Sequence, residues 1–410
     1  MRGLRRILVA AALALAGCAT PRPAPPVTAA ADRAPPVTIL VSIDGVRPDY
    51  LDRGVTPTLS RLAREGARTT LRPVFPSVTF PNHYSLVTGL TPDRHGIVAN
   101  RITDPARPGV MFTLGSAQAF DPFWWDAAEP VWVTAERQGV RTATMFWPGS
   151  EVAIRGVRPS NWLRFDQNVG NAQRVEQVVD WLRRPPASRP RFITLYFDTV
   201  DTAGHRHGPD APETTAAMAE VDARIGDLVA ELTRLGQQAN LVIVSDHGMA
   251  ATRPEQLVPL ERLVDPALVE VVNSGPFAAL EPRPGQEAAV AAQLARPHQG
   301  AQCWPREAIP ARLSYGRHPR VPRFLCLADP GGMIRAPGQD STVRGMHGYD
   351  NAAPDMAAIF IAHGPAFVRG AQLPPASATD LYPLLTRLLG ITPQPHEGDA
   401  TVLAPALRPR

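Results

Sequence analysis

The chain has 410 residues, 44% hydrophobic and 20% charged, enough apolar content for a large core, and this excludes a disordered or low-complexity protein. Its formal charge of +4 includes Arg2, Arg5 and Arg6, so the remainder carries about +1 and basicity gives no argument for nucleic-acid binding. There is no lysine, which excludes Schiff-base chemistry and lysine-dependent phosphate loops.

From the N-terminus, the three arginines precede an apolar run, Ile7 to Ala16, too short to span a bilayer. The run ends Leu15-Ala16-Gly17-Cys18, which looks like a bacterial lipobox. Residues 1–17 therefore read as a lipoprotein signal peptide, cut before a lipid-modified Cys18. Residues 18–36 are rich in Pro and Ala and read as a semi-extended tether. The expected location is the periplasm, as a lipoprotein held to the membrane by its N-terminal anchor. Ala19 after the cysteine favours the outer membrane.

The next signal is Val37 to Ile43, an apolar, β-branched run into Asp44-Gly45. A helical pattern follows over 56–65. Phe75-Pro-Ser-Val-Thr79-Phe80-Pro81 then puts a hydroxyl just before a predicted helix, with Pro81 in its first turn. Alone, Thr79 reads as an N-cap. The same position faces free N–H groups and the positive end of a helix dipole, where an anion is held. Helical patterns recur over 131–138, 174–182, 214–234 and 378–389. Between them, Phe192 to Phe197 runs into Asp198 and Asp201, Leu241 to Val244 into Ser245-Asp246-His247-Gly248, and Met356 to Ala362 into His363. Continuous apolar runs of this length predict strands buried on both faces. Their alternation with helices predicts an α/β fold with a mainly parallel central sheet and helices on both faces. Ligands of such sheets bind beyond the carboxyl ends of the strands, where Asp44, Asp201 and Asp246 would converge.

Residues 255–340 break this pattern, and a strand–helix–strand texture there predicts a small inserted α+β subdomain. The catalytic α/β domain is then 37–254 and 341–405. Cys303 and Cys326 lie in the insertion. In an exported protein they are expected to form a structural disulfide.

Asp201 and His205 stand four residues apart, Asp246 and His247 are adjacent, and His347 sits on a Gly-flanked loop. Each is weak evidence alone. Together, at the ends of separate predicted strands, they would repel or stay unpaired without a cation. A mixed set of Asp and neutral His suits Zn²⁺, with Mn²⁺ as the alternative. With Thr79 and Asp44 the set is large enough for two ions, an arrangement that stabilises attacking and leaving oxygens in phosphoryl transfer.

The set Ser42-Ile-Asp44-Gly45-Val-Arg47, Phe75-Pro-Ser-Val-Thr79-Phe80-Pro81-Asn82-His83, Asp201-Thr-Ala-Gly-His205, Ser245-Asp246-His247-Gly248-Met249 and Met346-His347-Gly348 resembles the nucleotide pyrophosphatase/phosphodiesterase family of the alkaline phosphatase superfamily. The resemblance implies an alkaline phosphatase-like fold. It implies one zinc held by Asp201, His205 and His347, and another held by Asp44, Asp246, His247 and the Thr79 oxygen. Thr79 would be the nucleophile, forming a phospho-threonine ester that water then hydrolyses. Asn100 and a backbone N–H near Phe80 would meet charge on the phosphoryl oxygens. Phe80 would form part of the nucleotide-stacking wall. Where nucleotide-specific members often carry a stacking Tyr, this chain has Phe165, which keeps the ring and loses the hydroxyl. His83, His95 and His207 read as supporting side chains. Trp124, Trp125 and Trp162 are candidates for a pocket edge.

The implied activity is metal-dependent hydrolysis of phosphodiester or phosphoanhydride bonds of nucleotides. Alternatives are a phosphomonoesterase or phosphonate hydrolase of the same superfamily, and a non-catalytic lipid-anchored metal-binding protein.

Overall fold

The computed structural model describes residues 35–339 and 342–409. The signal peptide, Cys18 and all but the last two residues of the tether lie outside the described residues. The central sheet is built, in chain order, from β1 (Val37–Ile43), β2 (Ala67–Arg72), β3 (Thr142–Met145), β4 (Asn161–Trp162), β5 (Phe192–Phe197), β6 (Ala239–Val244), β7 (Ala358–His363), β8 (Ala371–Gln372) and β9 (Ala376–Ser377). Its order is β8-β2-β7-β6-β1-β5-β3-β4, with β9 also on β2. Strands β6, β1, β5, β3 and β4 are parallel neighbours. Strand β7 alone runs against the rest, antiparallel to both β6 and β2.

That reversal sets the end of β7 apart from the other strand ends. Because β7 is antiparallel, His363 pairs with Leu241 at the start of β6, at the opposite edge from the other strand ends. It lies beside Glu65, 3.7 Å away.

The principal helices are α1 (Pro57–Glu65), α2 (Thr79–Thr88), α3 (Val131–Arg137), α4 (Asn171–Arg183), α5 (Thr199–His207), α6 (Pro212–Arg234) and α7 (Leu381–Leu389). They cover the sheet on both faces. Ile39, Val41 and Ile43 of β1 pack with α1, α4 and α6, whereas Leu40 points into the other core with α2, α3 and α7. With both faces dry, alternate residues need not be polar, so these strands read as unbroken apolar runs.

A separate antiparallel sheet orders its strands Val269–Asn273, Phe277–Pro282, Phe324–Ala328, Ala301–Pro305. One face, with Leu280 and Cys326, packs on helix Glu287–Leu294, while Phe277, Ala279, Leu325 and Leu327 join the core around α2. Cys303 and Cys326 are register partners joined by a disulfide. No helix among the described residues is long and apolar enough to cross a membrane.

Candidate active site

Three adjacent parallel strands aim their carboxyl ends at one place. Asp44 follows β1, Asp246 follows β6, and β5 leads into α5, whose helical spacing sets Asp201 and His205 on one face. Gly45 lets these ends close up. Its φ is +73°, and a Cβ there would lie 3.0 Å from the Asp201 Cα. His347 arrives from the far end of the sequence, after a two-residue strand, Gly345–Met346, that pairs with Ala250–Ala251.

Thr79 departs from the expected N-cap role. Val78 holds the N-cap position with extended backbone, and Thr79 is the first residue of α2. The Thr79 hydroxyl makes no capping bond and instead lies 3.4 Å from His247 Nε2. The bland account of this threonine therefore fails on geometry.

The histidines share one wiring plan. His205 Nδ1 lies 2.8 Å from the Gly345 carbonyl, His347 Nδ1 2.9 Å from that of Ser77, and His247 Nδ1 3.0 Å from that of Gly248. Each Nδ1–H donates to main chain, which leaves each Nε2 with a lone pair turned to the centre. His205 and His347 Nε2 then stand 3.2 Å apart, two acceptors without a proton between them. The His247 and His347 rings stack, with centroids 3.6 Å apart.

The carboxylates repeat the pattern. Asp44 Oδ1, Asp201 Oδ1 and Asp246 Oδ2 are buried with no hydrogen-bond donor. They nonetheless lie close to imidazole nitrogen: Asp246 Oδ2 is 3.0 Å and Asp44 Oδ1 3.5 Å from His247 Nε2, and Asp201 Oδ1 is 3.5 Å from His347 Nε2. Burial raises the Asp44 carboxyl, and Asp246 and Asp201 raise it further; burial also raises Asp201, against the downward pull of His205 and His247. Burial also acts upward on Asp246, but His247 and His83 outweigh it and hold that carboxyl well below the usual range. Burial drives His347 well down, and His247 and His205 add to it.

Donor atoms of Asp201, His205 and His347 lie within 4.8 Å of one another, as do those of Asp44, Asp201 and His247, and of Asp44, His83 and Asp246. His83 is the member to set aside. Its Nε2 is 2.9 Å from Ser42 Oγ and its Nδ1 2.9 Å from the Thr79 carbonyl, so neither nitrogen keeps a free lone pair. It supports Thr79 and Asp246 rather than joining the ligand set. His95 is farther off, paired with Ser85 and the Ile97 N–H, and His207 faces Glu213.

Asn100 Oδ1 accepts the Phe80 N–H at 3.0 Å. The bond ties Asn100 to the first turn of α2, beside Thr79. A cleft of about 420 Å³ opens beside Asp44, Thr79 and Asp201 and has both Phe80 and Phe165 in its wall. Phe80 rests on Phe112 and Trp125, and Phe165 on Phe146 and Tyr196. Trp125 edges the cleft, Trp124 is core, and Trp162 is exposed elsewhere.

Sequence reasoning missed Tyr196, whose hydroxyl donates to Asp44 Oδ2 at 2.6 Å. It also missed Glu151 and Arg164 in the cleft wall. Tyr196 sits in an apolar strand and carried no signal beyond core. Glu151 follows Trp147-Pro-Gly-Ser150, a stretch with no spacing that marks a site.

The chain matches the model of the type I phosphodiesterase / nucleotide pyrophosphatase family over residues 38–350. It is 37% identical over 367 residues to the bis(5'-adenosyl)-triphosphatase enpp4 of Xenopus laevis, covering 88% of this chain and 80% of that one. It is 35% identical over 364 residues to human ectonucleotide pyrophosphatase/phosphodiesterase family member 5, covering 88% and 76%. The solved structure of the human member 5 superposes with a TM-score of 0.87 at 34% identity, covering 91% of this chain and all of that one. A murine member 5 structure, an inactive threonine-to-alanine form in complex with AMP, matches equally well. With the family model spanning most of the chain, and relatives of this identity along most of their length, the protein is a hydrolase of the nucleotide pyrophosphatase/phosphodiesterase family, within the alkaline phosphatase superfamily.

Proposed function

We propose that the protein hydrolyses phosphodiester or phosphoanhydride bonds of nucleotides through a covalent intermediate on Thr79. The observation that carries this reading is the gathering of three imidazole lone pairs and three donor-less carboxylate oxygens beside the Thr79 hydroxyl. This donor set fits two divalent cations, Zn²⁺ first and Mn²⁺ as the alternative. Asp201, His205 and His347 would hold one, and Asp44, Asp246, His247 and Thr79 Oγ1 the other. When bound, such a pair supplies Lewis-acid charge that favours ionisation of the Thr79 hydroxyl and offsets charge on the phosphoryl group.

Thr79 Oγ1 attacks phosphorus in line, the P–O bond to the leaving group breaks on the opposite side, and a phospho-threonine ester results. Water then attacks from the vacated side, breaking the bond between Thr79 oxygen and phosphorus and releasing the nucleotide monophosphate. The Asn100 NH₂ donates to a non-bridging oxygen. Phe80 and Phe165 flank the base. Two comparisons support this reading: the Xenopus relative is named for a dinucleotide triphosphate, and the murine structure pairs AMP with a lost threonine. The lipobox-like Leu15 to Cys18 supports a periplasmic lipoprotein tethered by Cys18 to the membrane.

The test compares bis-p-nitrophenyl phosphate, p-nitrophenyl phosphate and a nucleotide p-nitrophenyl ester, with and without chelator, on the native protein and Thr79→Ala. The diesters should be preferred, and turnover should vanish with chelator and in Thr79→Ala. Preference for the monoester, or full metal-dependent turnover by Thr79→Ala, would overturn the reading.

A further inference from the structure

Two charged side chains in the wall of the cleft have no part in the chemistry above. The Glu151 carboxyl is buried beside the Phe165 backbone N–H and the Arg164 guanidinium. Its Oε2 has no hydrogen-bond partner, and burial pushes the group up to about 7. Arg164 lies flat on Phe120, its guanidinium carbon 4.1 Å from the ring centroid. No hydrogen bond or ion pair engages its five N–H donors among the described residues. Both residues line the same cleft as Phe80 and Phe165.

Keeping a carboxyl buried with an empty acceptor is unfavourable for the fold alone. Here it shares the cleft wall with Phe165, on whose ring a base would stack, and with an Arg164 guanidinium that no hydrogen bond holds. A stacked base presents its edge to groups beside the ring, so the cleft wall offers that edge one acceptor and one forked donor. We propose that Glu151 and Arg164 read the base edge and make this site prefer guanine over adenine nucleotides. The proposal rests on the nucleotide-hydrolase reading above.

Guanine fits both partners. Its N1–H and N2–H₂ donate to the Glu151 carboxylate, and its O6 and N7 accept from Arg164 in the bidentate pairing that arginine favours. Adenine fits neither fully. Its N1 lone pair would face the carboxylate, and its N6–H₂ donor would face the guanidinium. One bidentate pair discriminates by about tenfold or more.

The test uses guanosine and adenosine 5'-p-nitrophenyl phosphates at alkaline pH, above the Glu151 value, with bis-p-nitrophenyl phosphate on the native protein as a substrate without a base. The native kcat/KM ratio of guanosine to adenosine ester should be about tenfold or more. It should fall towards one in Glu151→Gln and in Arg164→Met. Arg164 is exposed, so its variant tests the proposal even if Glu151→Gln fails to fold. Cleavage of bis-p-nitrophenyl phosphate with no guanosine preference would overturn this inference and leave the hydrolase reading standing. A native-like ratio in both variants would overturn it equally. Absence of chelator-sensitive turnover on all three substrates would overturn the reading beneath it.

Discussion

Tyr196→Phe tests how far the ligand set depends on a group that is no ligand. The change removes one oxygen and keeps the ring, so the packing of Tyr196 against His83 and Phe165 survives. What is lost is a 2.6 Å O–H···O bond to Asp44 Oδ2. Asp44 is 1% exposed and its Oδ1 already lacks a donor, so without Tyr196 neither side-chain oxygen keeps one. A hydrogen bond to a charged group contributes about 1.5–3 kcal/mol. Every 1.4 kcal/mol is tenfold, so the loss corresponds to about 10–150-fold in metal affinity. Loss of such supporting partners typically weakens metal binding by about 10–100-fold. Zinc competition against a chromophoric chelator measures the affinity directly, and turnover of a nucleotide ester with limiting zinc should fall in step. A variant that folds and binds zinc as tightly as the native protein would refute the reasoning.

Three further outcomes follow from the same geometry. Phe165→Ala removes one stacking face and should raise KM for a nucleotide ester, relative to bis-p-nitrophenyl phosphate, by about 5–150-fold, the equivalent of about 1–3 kcal/mol of stacking. An unchanged ratio would take Phe165 out of the pocket's role. Glu151 holds its proton to about pH 7 when folded, above its ordinary 4.5. Between those values the unfolded chain binds fewer protons, so native stability should decline as pH rises, and Glu151→Gln should flatten that decline in urea melts. A native-like slope in the variant would contradict the burial argument. Arg320 is 5% exposed and donates to Asp104 at 2.6 Å and to the carbonyls of Gly96, Phe123 and Trp124. Arg320→Met should cost about 3–5 kcal/mol, because those acceptors stay buried without a donor. A urea-melt difference under about 1 kcal/mol would show that water replaces the guanidinium.

The legible part of this site is the part that interrupts a pattern. Asp44 and Asp246 each end an apolar run, and in a sheet buried on both faces such a run can stop only where the strand leaves the core. Asp201 and His205 advertise themselves by a four-residue step that α5 turns into a shared face. Tyr196 was invisible for the opposite reason: inside Phe192 to Phe197 an aromatic residue satisfies the pattern, and the direction of its hydroxyl is a property of the packed sheet. Strand direction was equally hidden. Nothing in the run ending at His363 separates a parallel from an antiparallel neighbour, because both have dry faces. The Thr79 cap was misread by one position, since Val78 carries the extended backbone of an N-cap without a side chain able to cap. Glu151 obeys no local rule at all, and its meaning lies in the partner it lacks.

The carbonyls that hold two of the three imidazoles belong to distant parts of the chain. His205 leans on Gly345, and His347 leans on Ser77. A chain ending before Gly345 would keep β1, α2 and α5, yet lose one ring and the clasp on another. The centre therefore exists only after the polypeptide has returned from its small antiparallel sheet. Most of the fold must be closed before the final donor arrives, so uptake of a divalent cation by the full set of donors would report completed folding.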